Sequence, residues 1–332
     1  MPSPRLVFLA ALVACLCLNG AVELSPARAQ SRGNLSSFPF LELSPSARSA
    51  AMADAFGAVA DGDVNALFYN PAVPGPASER VPSLTYVNHV SDINAGSVAY
   101  SRTVRGLGTT VSGGLRFAHW GTIEGRDVNG VRTGDFSAGD LAATVGLARS
   151  YGTRWRYGAN VHVLYSSIDD ADAAALTTDL GVLYRIPARQ LAVGASVRHL
   201  GVPLDRFGQV RPTLPLDVQV SVSKRLAHLP LLVSLTAYDL QNLDEGVVGG
   251  STLDHALAHV TLGGEFQLGD HFRARFGYNH RRSQELALNS RLDVAGLSGG
   301  FGLLVDPLIV DYAYSSWSDL GGLHQFTVRV DV

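Results

Sequence analysis

The stretch RWRYGANVHVLY, Arg154–Tyr165, alternates between two kinds of side chain. Aromatic and aliphatic residues occupy every second position, and mostly polar or small residues lie between them: Trp155, Tyr157, Ala159, Val161, Val163 and Tyr165 against Arg154, Arg156, Gly158, Asn160, His162 and Leu164. Successive side chains of a strand point to opposite faces, so a period of two predicts a β-strand with one apolar face.

The same alternation recurs from Val81 to the end of the chain. An even number of strands, with the last one at the C-terminus, allows the sheet to close beside its first strand. The pattern predicts an all-β fold, a 14-stranded antiparallel β-barrel with strands near 82–90, 93–104, 107–119, 137–149, 154–167, 175–186, 189–199, 214–226, 230–239, 255–267, 270–281, 289–303, 306–315 and 322–332.

The spacing of these strands indicates a transmembrane barrel. Each strand with its connection takes about 18 residues, which suits spans of about 9–11 residues joined by turns and loops. Tyrosines and tryptophans near strand ends are typical of interfacial girdles, and arginines such as Arg116, Arg275 and Arg329 fall on the polar faces, as in a lumen. Two soluble β-sandwich domains are the alternative, but no linker-like segment divides Val81–Val332.

The N-terminus carries the pattern of a signal peptide. Arg5 precedes the apolar run Leu6–Leu18, and Ala27-Arg28-Ala29 is a small-x-small cleavage site, so residues 1–29 are predicted to be removed. A second interpretation stays open, because Leu12–Cys15 resembles a lipobox that would make Cys15 a lipidated N-terminus. Both interpretations predict export, and cleavage after Ala29 leaves no cysteine for a disulfide.

Ser44–Gly75 (SPSARSAAMADAFGAVADGDVNALFYNPAVPG) differs from the rest of the chain. Its alanines predict a helix over Ala47–Phe56, capped by Ser44 or Ser46. A second short turn, Val64–Tyr69, runs into Asn70-Pro71, where proline prevents further helix. We therefore predict that residues 30–80 form a small helical plug or hatch and that residues 81–332 form the barrel.

No motif of this chain predicts catalysis, a metal centre or a cofactor. Asp61-Gly62-Asp63 opens like a calcium loop, but an EF-hand needs Gly and Glu where Ala66 and Ala72 stand. Two interpretations of Asp61 and Asp63 remain: they stabilise a turn and cap a helix, or they belong to an irregular calcium site. Gly296–Gly300 matches G-x-S-x-G, but within a strand pattern rather than a strand-to-helix turn.

Charge gives two further expectations. The formal net charge of −3 argues against nucleic acid as a partner and gives no indication of a polybasic surface for anionic lipid. His280-Arg281-Arg282 closes a predicted strand, and we interpret it as a solvated rim that could face a partner or phosphate groups.

The chain resembles the PorV/PorQ family, which is related to the FadL-like barrels. The resemblance begins in Ser46–Met52, Asp61–Val64 and Asn70-Pro71-Ala72 and covers essentially all of Phe40–Val332. Later segments that carry it are Leu214–Asp217, Ser223–Leu231, Tyr238–Leu240, Gly277–Arg282, Asp311–Tyr314 and Gly322–His324. One departure is the C-terminus, Val330-Asp331-Val332, where many such barrels end in an aromatic residue.

This resemblance implies a non-catalytic outer-membrane component of the type IX secretion system, with Asn70, Pro71 and Ala72 as its hatch motif. The implied role is to anchor or dock the cell-surface complex that attaches cargo, using the connections Gly121–Gly134 and Gln241–Asp254. Implied partners are a PorZ-like surface protein, a sortase-like protease, a PorV-like barrel and outer-membrane lipid or lipopolysaccharide. The alternative is a FadL-like transporter of hydrophobic small molecules, with Ser44–Gly75 as a movable hatch.

Overall fold

The computed structural model describes residues 37–88, 93–127, 129–205, 212–243, 251–286, 295–316 and 322–331. The predicted signal peptide and the lipobox at Cys15 lie outside these ranges. Within them, no helix is long and apolar enough to cross a membrane.

The described chain forms a closed antiparallel barrel of fourteen strands, as the sequence predicts. Each strand pairs with its neighbours in sequence, and β1 pairs with β14 to close the sheet. The strands are β1 (Ser83–Asn88), β2 (Asn94–Val104), β3 (Thr109–Arg126), β4 (Arg132–Tyr151), β5 (Trp155–Ile168), β6 (Ala171–Ile186), β7 (Leu191–Pro203), β8 (Asp217–Arg225), β9 (Leu231–Ala237), β10 (Val260–Leu268), β11 (Phe272–Asn279), β12 (Leu297–Val305), β13 (Leu308–Ser316) and β14 (Gly322–Val330).

The predicted alternation separates an outer apolar face from an inner polar face. On β4, Val145 and Leu147 point outward and are 61% and 53% exposed, while Asp140 and Thr144 point inward and are buried. Large apolar side chains are exposed in this way around the whole barrel. Such a surface is unfavourable in water and suits a hydrocarbon environment.

The two ends of the barrel differ. The end that holds the start of β1 and the finish of β14 has short connections, such as the 3-10 turns Arg105–Leu107 and Pro187–Arg189. We call it the turn end. The opposite, loop end has the longer connections β7–β8, β9–β10 and β11–β12 and carries two short helices, α2 (Thr252–Ala258) and α3 (His280–Leu286).

Several predicted boundaries at the loop end are wrong. The strand predicted at 255–267 begins at Val260, because Ser251 and Asp254 form a capping box that starts α2. In the strand predicted at 289–303, residues 295 and 296 form a turn and β12 begins at Leu297, while residues 289–294 lie outside the described ranges. Gly121–Gly134, predicted as a loop, is mostly strand, since β3 and β4 continue to Arg126 and Arg132.

The predicted N-terminal helix is shorter than Ala47–Phe56. Helix α1 spans Ala47–Ala51, with Ser46 as its N-cap. Ala53 and Asp54 then take positive φ values of 49° and 63°, which no right-handed helix allows. This turn brings the Asp54 carboxylate to the hydroxyls of Ser44 and Tyr69, at 2.8 and 2.5 Å.

Residues 38–78, called the plug from here on, lie inside the barrel. Most of their side chains are buried, and they contact inward-facing residues on both halves of the wall. One apolar cluster surrounds Met52, Phe56 and Tyr69, and a second surrounds Phe38, Phe40 and Leu41. The plug therefore forms the core that the barrel wall encloses.

Candidate functional site

The motif Asn70-Pro71-Ala72 is fixed by hydrogen bonds made by one side chain. The Asn70 amide nitrogen donates to Gly57 O at 3.1 Å and to Val182 O of β6 at 3.2 Å, while its oxygen accepts from Ala72 N at 2.9 Å. Asn70 thus joins two parts of the plug to the wall. Since both ends of the amide are used, aspartate or leucine cannot reproduce the arrangement.

Glycines on three adjacent strands make room for this motif. Gly158 of β5 faces Pro71 O, and Gly181 of β6 and Gly194 of β7 face the Asn70 side chain. A Cβ atom at Gly158 or Gly181 would overlap those plug atoms. We call these three residues the glycine seat, because their missing side chains allow the plug backbone to approach the wall closely.

Arg48 of α1 joins the plug to the opposite wall through buried charges. It is 1% exposed, and its guanidinium donates to Glu265 of β10 at 2.8 and 2.9 Å. It also pairs with Asp61 at 2.6 Å and with Asp63 at 3.3 Å, both within the plug. A buried arginine needs such partners, because desolvating an unpaired charge is very unfavourable.

These pairs continue into a closed ring of alternating charges. Arg275 links Glu265 to Asp311 at 2.7 and 2.6 Å. Arg329 then links Asp311, at 2.8 Å, to Asp63, at 3.1 Å. The charge ring therefore consists of two plug residues and four wall residues: Arg48, Asp63, Glu265, Arg275, Asp311 and Arg329.

Three further arginines of the wall hold plug carbonyl groups. Arg116 of β3 donates to Leu41 O at 3.1 Å, Arg156 of β5 to Val73 O at 2.5 Å, and Arg198 of β7 to Phe68 O at 3.0 Å. Because the plug has little regular secondary structure, its carbonyl groups lack helical partners. The inward arginines satisfy them and thereby fix the plug backbone.

Asp61 and Asp63 serve as partners of arginine in the plug. Burial by itself would raise the pKa of Asp61, but the charge and hydrogen bonds of Arg48 outweigh it and hold that pKa below its usual range. Asp63 also caps the 3-10 turn Val64–Phe68 by accepting from Asn65 N. The described residues contain no cluster of three or more His, Cys, Asp or Glu side chains that could hold a metal ion.

The predicted rim residues lie at the loop end, at the start of α3. Arg281 is 5% exposed, pairs with Asp239 at 2.6 Å and covers the Tyr238 ring, so it is not the solvated side chain that we predicted. His280 lies 3.4 Å from Asp254 of α2, and Arg282 lies 4.0 Å from Asp54 of the plug. A partner-facing role for this rim stays a prediction.

The arrangement as a whole can close the lumen. The charge ring lies on β10–β14 and the glycine seat on β5–β7, so the plug is attached to both sides of the barrel. The sequence analysis placed the wall arginines on the inner face of the barrel. It did not predict that Arg48 and Glu265 would connect the plug to those arginines. A lone acidic residue in the apolar strand Val260–Leu268 was the available signal for Glu265.

Comparison with known proteins supports the fold. No protein-family model and no curated protein sequence matches the chain. Among solved structures, a deletion mutant of the TodX monoaromatic hydrocarbon channel superposes with a TM-score of 0.54 at 13% identity, covering 86% of this chain and 96% of that one. A Pseudomonas aeruginosa FadL homologue superposes with a TM-score of 0.52 at 10% identity, covering 87% and 98%. The chain thus has a FadL-like barrel fold.

Proposed function

We propose that this protein is a non-catalytic outer-membrane barrel that anchors a partner of the type IX secretion apparatus at the cell surface. The observation that carries this proposal is the double attachment of the plug, by the charge ring on one wall and the glycine seat on the other. A pathway through the lumen would require these buried pairs to separate. A sealed barrel instead offers a rigid mount in the membrane.

The loop end offers a surface that a partner can hold. Residues 122–126 of β3 pair with residues 132–137 of β4, beyond the positions where β2 and β5 stop, which are Asn94 and Ile168. One face of this projecting hairpin carries Ile123 and Phe136, and the other carries the ion-paired Glu124, Arg132 and Asp135. Exposed strand edges of this kind bind extended segments of other proteins through their main chain.

The test is an affinity purification of the tagged barrel from outer membranes in mild detergent, with partners identified by mass spectrometry. In a matched variant, residues 125–134 are replaced by Asn-Gly, which keeps the Glu124–Asp135 pair and closes it with a tight turn. We expect the unmodified barrel to retain a surface partner and the shortened hairpin to lose it. A barrel without a partner, from cells that still secrete and attach cargo after deletion of the gene, contradicts the proposal.

A specific observation favours the second candidate, a transporter of hydrophobic small molecules. At the loop end, small and aliphatic wall residues form an apolar collar around Phe38, Phe40 and Leu41: Val87, Ala95, Ala118, Ala142, Leu164, Ala175 and Leu323. A cleft of about 10 Å³ lies between Phe40 and Phe117, close to the minimum for one water molecule. Displacement of these plug side chains would expose an apolar site.

Hydrocarbon uptake distinguishes the two candidates. A transporter predicts that deletion of the gene slows uptake of a monoaromatic hydrocarbon and that Phe40→Ala, which enlarges the cleft, speeds it. Ala188→Ser, an exposed substitution in the turn Pro187–Arg189, is the control. Unchanged uptake in the deletion strain removes this candidate and leaves the anchor proposal standing.

A further inference from the structure

Charge is unevenly distributed at the turn end of the barrel. Four consecutive turns, from β2–β3 to β8–β9, each carry two basic side chains: Arg102 and Arg105, Arg149 and Arg154, Arg185 and Arg189, and Lys224 and Arg225. We call these residues the basic arc. The parts of the chain that flank these turns, residues 93–123, 141–168, 180–204 and 218–238, contain no aspartate or glutamate.

The remaining strand-to-strand turns of this end, and the residue that follows β14, carry acidic side chains instead. Asp270 occupies the β10–β11 turn, Asp306 the β12–β13 turn, and Asp331 follows β14. The net charge of −3 therefore conceals a basic half of the turn end. Among the described residues, no carboxylate forms a salt bridge with a side chain of the basic arc.

Several of these side chains end the outward, apolar rows of their strands. On β2, Val98 and Tyr100 point outward and are followed two residues later by Arg102. On β4, Arg149 follows Val145 and Leu147, and on β8, Lys224 follows Val220 and Val222. On each of these strands, the outward face thus changes from apolar to basic between one outward residue and the next.

Aromatic residues mark this change as a membrane interface. Tyr151, Trp155 and Tyr157 are outward-facing and exposed beside Arg149, and Trp155 packs against Tyr184 with a ring separation of 4.7 Å. Arg154 donates to the Tyr184 hydroxyl at 3.3 Å. Tyrosine and tryptophan collect at the level of lipid headgroups, where long basic side chains reach the phosphates.

We propose that the basic arc binds the phosphate headgroups of anionic phospholipids in the leaflet that surrounds the turn end. This inference rests on the membrane location given under the proposed function. Arginine pairs with phosphate through two parallel hydrogen bonds, and a cluster of basic residues beside a membrane attracts anionic lipid. Because short turns face the periplasm in outer-membrane barrels, the leaflet concerned is the inner one.

Brominated lipids test this proposal, since they quench the fluorescence of tryptophans that they touch and Trp155 lies next to Arg154 of the basic arc. The purified full chain is inserted into phosphatidylcholine vesicles that contain brominated phosphatidylglycerol or brominated phosphatidylcholine. We expect several-fold stronger association of phosphatidylglycerol, lost on raising the salt concentration. In Trp155→Phe this lipid-specific quenching should disappear.

The decisive variant is Arg149→Gln with Lys224→Gln, which removes two exposed positive charges from the basic arc. Its preference for phosphatidylglycerol should fall at least twofold, because two of the eight positive charges are lost. Arg126→Gln with Arg132→Gln removes two exposed charges from the hairpin at the loop end and should keep the preference. Unfolding midpoints of both variants, measured by heat-dependent gel mobility, confirm that each barrel is folded.

Three results would overturn the proposal. Equal quenching by the two lipids in the unmodified chain excludes a headgroup site while leaving the membrane location intact. Absence of quenching by either lipid means that the barrel does not insert, which refutes the location as well. Equal quenching together with a defined acidic periplasmic protein that the unmodified chain binds and the Arg149→Gln/Lys224→Gln variant does not would make that protein the occupant instead.

Discussion

Arg48 shows how a single side chain can determine the state of the lumen. It pairs with Glu265 of the wall, whose carboxylate is fully buried, and with Asp61 of the plug. We predict that Arg48→Leu destabilises the folded barrel by about 3–5 kcal/mol, because it breaks a buried ion-pair network and leaves Glu265 and Asp63 with one arginine partner each. Heat-dependent gel mobility or urea unfolding in detergent measures this, with the exposed Arg126→Gln as the control. A change below about 1 kcal/mol, typical of a surface pair, would contradict the role of the charge ring.

The glycine seat gives a second prediction at this scale. Gly181→Ala places a methyl group against Asn70 Oδ1, so the plug must move away from β6. We expect a lower unfolding temperature and faster cleavage of the plug by added protease. Gly113→Ala on β3 is the matched control, because its Cβ would have no neighbour closer than 4.0 Å. If both variants behave alike, the close approach of Asn70 is not important for plug stability.

The plug is the element in which protonation should matter. The folded-state pKa of Asp61 is depressed, so its contribution to stability is present above the ordinary aspartate pKa of about 4 and is lost as pH falls further. We predict that a planar bilayer containing the barrel conducts little at pH 7 and more at pH 3. In Arg48→Leu, conductance should already appear at pH 7. Conductance that is equal at both pH values in the unmodified chain would show that the Arg48–Asp61 pair does not hold the plug.

At the level of elements, the sequence identified the strands better than the segments between them. The two-residue period is a local property that the barrel preserves, so β5 differs from its prediction by one residue at each end. Helix α1 is shorter than its alanines suggest, because Asp54 takes a left-handed conformation to reach Tyr69, a contact between residues fifteen positions apart. The charge ring joins Arg48 to Glu265 and Arg329, and alternation within single strands carries no information about such distant pairs.

At the scale of the whole molecule, the barrel wall separates an apolar exterior from a polar interior. Its outward face is apolar along the middle of the strands, and its inward face is polar and occupied by the plug. The basic arc and the aromatic residues beside it then mark where the apolar band ends at one side. The apolar band, the plug inside the barrel and the projecting hairpin are the three features that support the proposed anchoring function.

This division predicts effects of very different size for two substitutions on the same outward row of β4. Val145 lies near the middle of the outward row of β4 and is 61% exposed. Val145→Arg should destabilise the barrel in phospholipid vesicles by about 2–4 kcal/mol, because an arginine at the bilayer midplane is poorly solvated. Arg149→Lys, at the end of the same row, should change stability by less than about 0.5 kcal/mol. Urea unfolding in vesicles measures both, and a tolerated Val145→Arg would show that the outward face of β4 is not in contact with lipid.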